Sequence, residues 1–199
     1  MSFMNLISRL ANRTTKPKVF GIGTLRTGTT SLGTALEILG YKHTHERRNA
    51  LLRYVKAKNL SRVYRWVDQH DSFEDWPWPL IYRELDERYP NSRFILTVRR
   101  DDESWLKSIV KYSRFIGPSP GRKMFFGYSM PAGHEAEYVA RYREHNRSVQ
   151  DYFKGRPGKL LVVCWENGDE WQKLCRFLGV RVPNAGFPRR NTGTKPIRK

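Results

Sequence analysis

The stretch that most constrains this chain is Lys18-Val19-Phe20-Gly21-Ile22-Gly23-Thr24-Leu25-Arg26-Thr27-Gly28-Thr29-Thr30-Ser31-Leu32, an apolar run entering a Gly- and Thr-rich turn and leaving it in a helical pattern. A strand, turn and helix of this kind set successive backbone N–H groups beside a helix N-terminus, where unsatisfied donors and partial positive charge favour an anion. The ligand is expected to carry phosphate. Two common phosphate motifs fail at single positions. Gly23 and Gly28 have the spacing of GxxxxGK[ST], but Thr29 stands where the lysine belongs, which disfavours an ordinary ATP site. After Gly21-x-Gly23 the third glycine of a dinucleotide fingerprint is replaced by Arg26. What remains is a phosphate loop whose cation, Arg26, sits inside it.

A second strand-to-helix junction follows at Arg93-Phe94-Ile95-Leu96-Thr97-Val98-Arg99-Arg100-Asp101-Asp102-Glu103-Ser104-Trp105-Leu106-Lys107-Ser108. Asp101 or Asp102 can cap the helix, and Ser108 lies about two turns along it, so an arginine and a hydroxyl can converge on one anion. Arg100 has Ser108 eight residues on, whereas Arg99 has Lys107, which offers charge without a hydroxyl. Arg100 is therefore the preferred arginine.

Together these segments resemble the sulfotransferases that use 3′-phosphoadenosine-5′-phosphosulfate (PAPS). Their first loop carries a basic residue, a small residue and Gly-Thr-Thr at a helix start, and their second a strand-end arginine with a serine eight residues later. Here Arg26 matches the usual lysine. The resemblance implies that Arg26, Thr27, Gly28, Thr29, Thr30 and Ser31 bind the 5′-phosphosulfate, and that Arg100 and Ser108 bind the 3′-phosphate. The family often has proline where Asp102 stands. Towards the C-terminus a strand at 160–164, the pattern Trp171-x-x-Leu174-x-x-Phe177-Leu178-Gly179 and the turn Phe187-Pro188-Arg189-Arg190-Asn191 also look familial. They make Arg189 and Arg190 further candidates for the 3′-phosphate, and the resemblance spans roughly residues 18 to 192.

The chemistry so implied is in-line sulfuryl transfer to an acceptor hydroxyl or amine, without a metal, Arg26 stabilising the leaving phosphate. A base is then required. Many relatives use a histidine just before a proline, but the corresponding region, His70-Asp71-Ser72-Phe73-Glu74-Asp75-Trp76-Pro77-Trp78-Pro79, has none there. Asp75 is the best candidate, with His70, Asp71 and Glu74 behind it; capping or loop bonding is the alternative role for an Asp in such a turn. His43 and His45 lack a third ligand at metal spacing.

Alternating apolar strands (19–23, 93–98, 159–164) and helices (30–39, 79–89, 101–114, 135–153, 170–178, with 46–69 helical and basic) indicate a three-layer α/β/α fold around a parallel sheet, of the P-loop NTPase-like kind that the resemblance implies. Its ligands belong at the carboxyl ends of the strands. With 199 residues one core suffices. The expected division is a basic amphipathic segment over 1–17, one domain over 18–192 and a basic tail over 193–199. Residues 117–133, broken by Gly and Pro, are expected as a mobile loop over the acceptor site.

Net charge is +18, no acid precedes Glu37 and none follows Glu170, which points to an anionic partner. An anionic glycan or lipid acceptor fits, as does peripheral membrane contact through Phe3, Leu6, Ile7 and Leu10 of the N-terminal segment. No helix-turn-helix, RNP or zinc pattern supports specific nucleic-acid binding. Two cysteines are too few for a disulfide framework, which suits a reducing, cytoplasmic setting. A P-loop kinase of nucleotides or small molecules is the runner-up; it accounts for the first loop only and requires a nearby acid on a strand end.

Overall fold

A computed structural model describes residues 16–190. The N-terminal segment and the basic tail therefore lie, but for Lys16 and Pro17, outside the described residues. Five parallel strands, β1 (Val19–Gly21), β2 (His43–Thr44), β3 (Ser72–Phe73), β4 (Arg93–Thr97) and β5 (Leu160–Val163), form one sheet in the order β2-β3-β1-β4-β5. Among the described residues eight α-helices surround them: α1 (Thr29–Ile38), α2 (Arg48–Lys56), α3 (Leu60–Val67), α4 (Tyr82–Arg88), α5 (Asp102–Ile116), α6 (Pro120–Phe126), α7 (Glu135–Phe153) and α8 (Trp171–Leu178).

The three layers follow from the period of two along each strand. Phe20, Phe94 and Leu96 point to one face, where Leu51 of α2, Val63 and Val67 of α3, Leu85 of α4, and Val149 and Phe153 of α7 cover them. Val19, Ile95 and Val163 point to the other, covered by Leu32, Ala35 and Leu36 of α1 and by Trp171, Leu174 and Leu178 of α8. Both strand faces are thus apolar, as parallel strands require. A third apolar cluster stands beyond the carboxyl end of the sheet, where Leu25 and Trp76 pack with Trp105 and Ile109 of α5, Phe125 and Phe126 of α6, and Tyr138 and Tyr142 of α7.

Three expectations are corrected. The helical stretch 46–69 is two helices, because Lys58 takes a left-handed φ of 54° at the break. Two further strands, β2 and β3, join the three that apolar runs predict; at two residues each they are too short for any periodicity. The region 117–133 is not loop throughout: Pro120–Phe126 within it forms α6, which Ser119 caps and Pro120 opens, and Phe125 and Phe126 are buried. Buried Arg122 ties the region together, donating to the Ser129 carbonyl at 2.9 Å and to the Gly117 carbonyl. The capping serine and the proline after it are helix-start signals.

Candidate anion-binding cleft

The carboxyl ends of β1, β3 and β4 open into a cleft of about 690 Å³. Its lining runs from Leu25 to Ser31 and includes Arg48, Glu74, Asp75, Arg99, Ser108, Tyr112, Trp165, Glu166, Arg189 and Arg190. Of the candidate residues of the sequence, Arg100, His70 and Asp71 are outside the lining and the others are within it.

The turn after β1 shapes one wall. Gly23 lies against β4 so closely that a Cβ there would sit 2.0 Å from the Thr97 hydroxyl and 2.5 Å from the Thr97 carbonyl. Thr27, itself buried, bonds the Thr24 carbonyl and the Thr97 hydroxyl, each at 2.6 Å, so its hydroxyl braces the loop on β4. Arg26 and Gly28 adopt left-handed φ of 68° and 91°. Glycine is required at 28 for a second reason: Trp165 donates its indole N–H to the Gly28 carbonyl at 3.1 Å, and a Cβ would meet its ring at 2.3 Å. No side chain caps α1, which begins at Thr29, leaving its first-turn donors and positive end to a ligand.

Arg26 crosses the cleft. Its Nε donates to the Ser108 hydroxyl at 3.1 Å, and its guanidinium stacks over Tyr112 at 5.0 Å. Burial lowers its pKa, and nearby Arg99 adds to this; a guanidinium remains charged all the same. The loops expected to hold two separate phosphates therefore meet through one hydrogen bond.

At the end of β4 the two neighbouring arginines diverge. Arg99 faces the cleft and pairs with Glu166 at 2.7 Å. Arg100 points outward, 63% exposed, onto Asp101 at 3.3 Å, while its backbone N–H donates to Glu166 at 3.1 Å. Asp101 is the cap of α5, accepting from the Ser104 N–H. Arg100 was preferred for the serine eight residues on, and the structure brings Arg99 to that serine's cleft instead. At the other rim, the Arg190 backbone N–H donates to the Ser31 hydroxyl at 3.0 Å, and Arg189 pairs with Glu170. Phe187 packs on Trp165 and Trp171, which lays this segment over the loop.

Facing the loop, β3 ends in an acidic pair. Arg48 of α2 bonds Asp75 at 2.6 Å and Glu74 at 3.4 Å. Asp75, at a left-handed φ of 68°, also accepts the Trp76 N–H at 2.8 Å. Burial raises the pKa of Asp75 while Arg48 opposes the rise. Glu74 is pushed up to about 7, first by burial and then by Asp75, with Arg48 and the Thr29 hydroxyl pulling the other way. His43 is held down to about 4 by burial and by His45, Arg48 and His70, so it is neutral at physiological pH. His70 bonds the Trp66 carbonyl and Asp71 the Lys42 N–H; neither lines the cleft. Among the described residues no group of three or more His, Cys, Asp or Glu could hold a metal ion.

Arg48, Tyr112, Trp165 and Glu166 line the cleft without a sequence signal that singles them out, and Arg99, the competitor of Arg100 in the sequence, joins them. Arg48 lay in a generally basic stretch, and no local pattern set it apart. Trp165 and Glu166 stood in a segment noted only for its likeness to the family.

A glycine-rich turn carrying an arginine, set at the carboxyl end of a five-stranded parallel sheet, defines an α/β protein with a candidate anion-binding loop. The chain belongs to the sulfotransferase domain family, which matches residues 18–124 and 121–195. It is 27% identical over 214 residues to Ava biosynthesis cluster protein M of Aspergillus versicolor, covering 86% of this chain and 79% of that protein. Its fold is similar to the crystal structure of a sulfotransferase from Alicyclobacillus acidocaldarius, with a TM-score of 0.55 and 16% identity over 92% of this chain and 88% of that one. The sheet and layers match the fold that the sequence implied. No helix among the described residues is long and apolar enough to cross a membrane.

Proposed function

We propose that this sulfotransferase takes a sulfuryl group from PAPS and transfers it in line to an acceptor hydroxyl or amine. The carrying observation is the Arg26–Ser108 contact, which joins the turn after β1 to α5 within one arginine-lined cleft. The chemistry of the donor set fits a nucleotide with phosphate at both ends. The start of α1 and Arg26 suit the 5′ side, and Ser108 with Arg99 suits the 3′ side. Arg189 and Arg190 flank the cleft, and Arg100 serves only at its rim.

When bound, PAPS supplies the activated sulfuryl group. Arg26 neutralises charge on the phosphate oxygen as the sulfur–oxygen bond breaks and its electron pair stays with that oxygen. Asp75 accepts the proton of the attacking hydroxyl or amine, and Arg48 holds the Asp75 carboxylate in place. The product, 3′-phosphoadenosine-5′-phosphate (PAP), leaves from the same cleft. An anionic glycan or lipid acceptor suits the +18 charge, and a cytoplasmic setting suits two free cysteines.

The kinase alternative gains one observation, since Glu74 and Asp75 do stand at a strand end. Their cation, however, is Arg48, and the loop still lacks its lysine. The test is PAP release from PAPS in the presence of phenol, sugar and amine acceptors. Sulfated product and release abolished by Arg26→Ala are expected; consumption of Mg-ATP with PAPS untouched would contradict the proposal.

A further inference from the structure

The carboxylate pair at the end of β3 is unbalanced. One guanidinium, Arg48, serves two acids, and it is 2.6 Å from Asp75 but 3.4 Å from Glu74. Both Asp75 oxygens are engaged, Oδ2 by Arg48 and Oδ1 by the Trp76 N–H. Glu74 is 2% exposed, and its Oε2 is buried without a hydrogen-bond partner. A buried ionised carboxylate with an unsatisfied oxygen is costly, and the usual resolution is to take up a proton.

Glu74 also faces the loop. The Thr29 hydroxyl acts on it from the start of α1, Glu37 lies further along that helix, and Asp75 adjoins it on its own segment. A Cβ on Gly33 would lie 3.2 Å from the Glu74 Cγ and 2.6 Å from the His43 Nε2, so neutral His43 is its neighbour across α1. Arg48 from α2 is the cation that opposes them. An anion seated at the start of α1 adds negative charge to this side of the cleft, where a low dielectric magnifies its effect.

Resting on the PAPS reading, we propose that Glu74 is a proton-carrying member of the anion site: it becomes a neutral carboxylic acid when an anion occupies the loop, so that cofactor binding takes up a proton there. Asp75 keeps the charge that Arg48 neutralises. Glu74 is thus a positioning residue that lets a highly charged nucleotide sit beside two acids. The consequence is an affinity that falls with rising pH for a reason apart from the ligand's own phosphates.

The test is calorimetry with PAP on wild type and Glu74→Gln, each in two buffers of different ionisation enthalpy between pH 6.5 and 8.5. Proton uptake by wild type exceeding that of Glu74→Gln is expected. Wild-type affinity relative to the variant should fall towards tenfold per pH unit above the midpoint, the slope of one linked proton. Equal uptake with parallel pH profiles would overturn the proposal. Because the variant itself could fold poorly, carboxyl carbon resonances of glutamate-labelled wild type supply a second reading. One resonance titrating near neutrality, and moving upward when PAP is added, supports it; none titrating above about pH 5 overturns it. Absence of PAP binding by both proteins overturns the coupling together with the cofactor reading, and a neutral-pH titration surviving in that case identifies the cofactor as the part that failed.

Discussion

The turn after β1 and the turn after β4 are both strand-to-helix junctions expected to bind phosphate, yet only the first carries all its expected residues into the cleft; of the second, Ser108 enters and Arg100 does not. After β1 the backbone itself does the shaping. Gly23 must touch Thr97 and Gly28 must clear Trp165, and such demands leave a mark in the sequence because only glycine meets them. After β4 the outcome depends on which side chain of an arginine pair turns inward. Adjacent residues of an extended chain point opposite ways, so an error of one residue exchanges the cleft for solvent. Arg99 is in and Arg100 is out. Sites built from backbone are legible in sequence at single-residue precision, and sites built from side-chain direction much less so.

The largest effect that would break this contrast is Gly23→Ala. A methyl at 2.0 Å from the Thr97 hydroxyl and 2.5 Å from the Thr97 carbonyl pushes against a short buried side chain and the β4 backbone at once, so unfolding free energy should drop by about 3 kcal/mol, the upper range for overpacking. Denaturant unfolding with little loss would mean that the two junctions are not locked together.

Next comes Arg26→Ala. It removes both the charge in the cleft and the bond to Ser108, and PAP affinity should weaken by about 1.5–3 kcal/mol, the scale of a charged hydrogen bond. Competition or calorimetric titration reads this directly.

The sharpest comparison sets Arg99→Ala beside Arg100→Ala. Losing Arg99 removes a cation from the cleft and leaves Glu166 without its ion pair, and PAP affinity should fall by about 1.5 kcal/mol or more. Losing the exposed Arg100 side chain should cost no more than about 0.5 kcal/mol, as for surface charges in general. The reverse ranking would restore Arg100 to the 3′-phosphate.

A further comparison concerns pH. Glu74 binds its proton more tightly folded than unfolded, because burial and Asp75 raise its pKa to about 7. Between the ordinary glutamate range and about 7 the folded state holds more protons, so the stability contributed by Glu74 is present at low pH and lost as pH rises through that window. Above it the contribution is constant. Thermal melts from pH 5 to 8 should therefore show wild type losing stability relative to Glu74→Gln, and parallel curves would place the Glu74 pKa at its usual value.

The layered fold was legible because long apolar runs such as Phe94–Leu96 and the amphipathic pattern of α8 are strong periodic signals. The strands β2 and β3 carry no such signal, and Gly117, Pro118 and Gly121 interrupt the helical pattern around the Ser119-Pro120 start of α6. The acidic pair at β3 was seen, with Asp75 placed ahead of Glu74. Their inequality was not, since it arises from Arg48, 26 residues away from Glu74 in sequence and brought to it only by folding. Trp165 and Glu166, 137 residues from Gly28 and 66 from Arg100 respectively, belong to the same class of contact.

The central claim is that the cleft takes a nucleotide bearing phosphate at its 3′ and 5′ ends. Calorimetric titration with PAP, beside Mg-ATP at the same ionic strength, tests it most directly. Micromolar binding of PAP with far weaker binding of Mg-ATP is expected, and both should weaken in Arg26→Ala. Preference for Mg-ATP, or no binding of PAP by a folded protein, would contradict it.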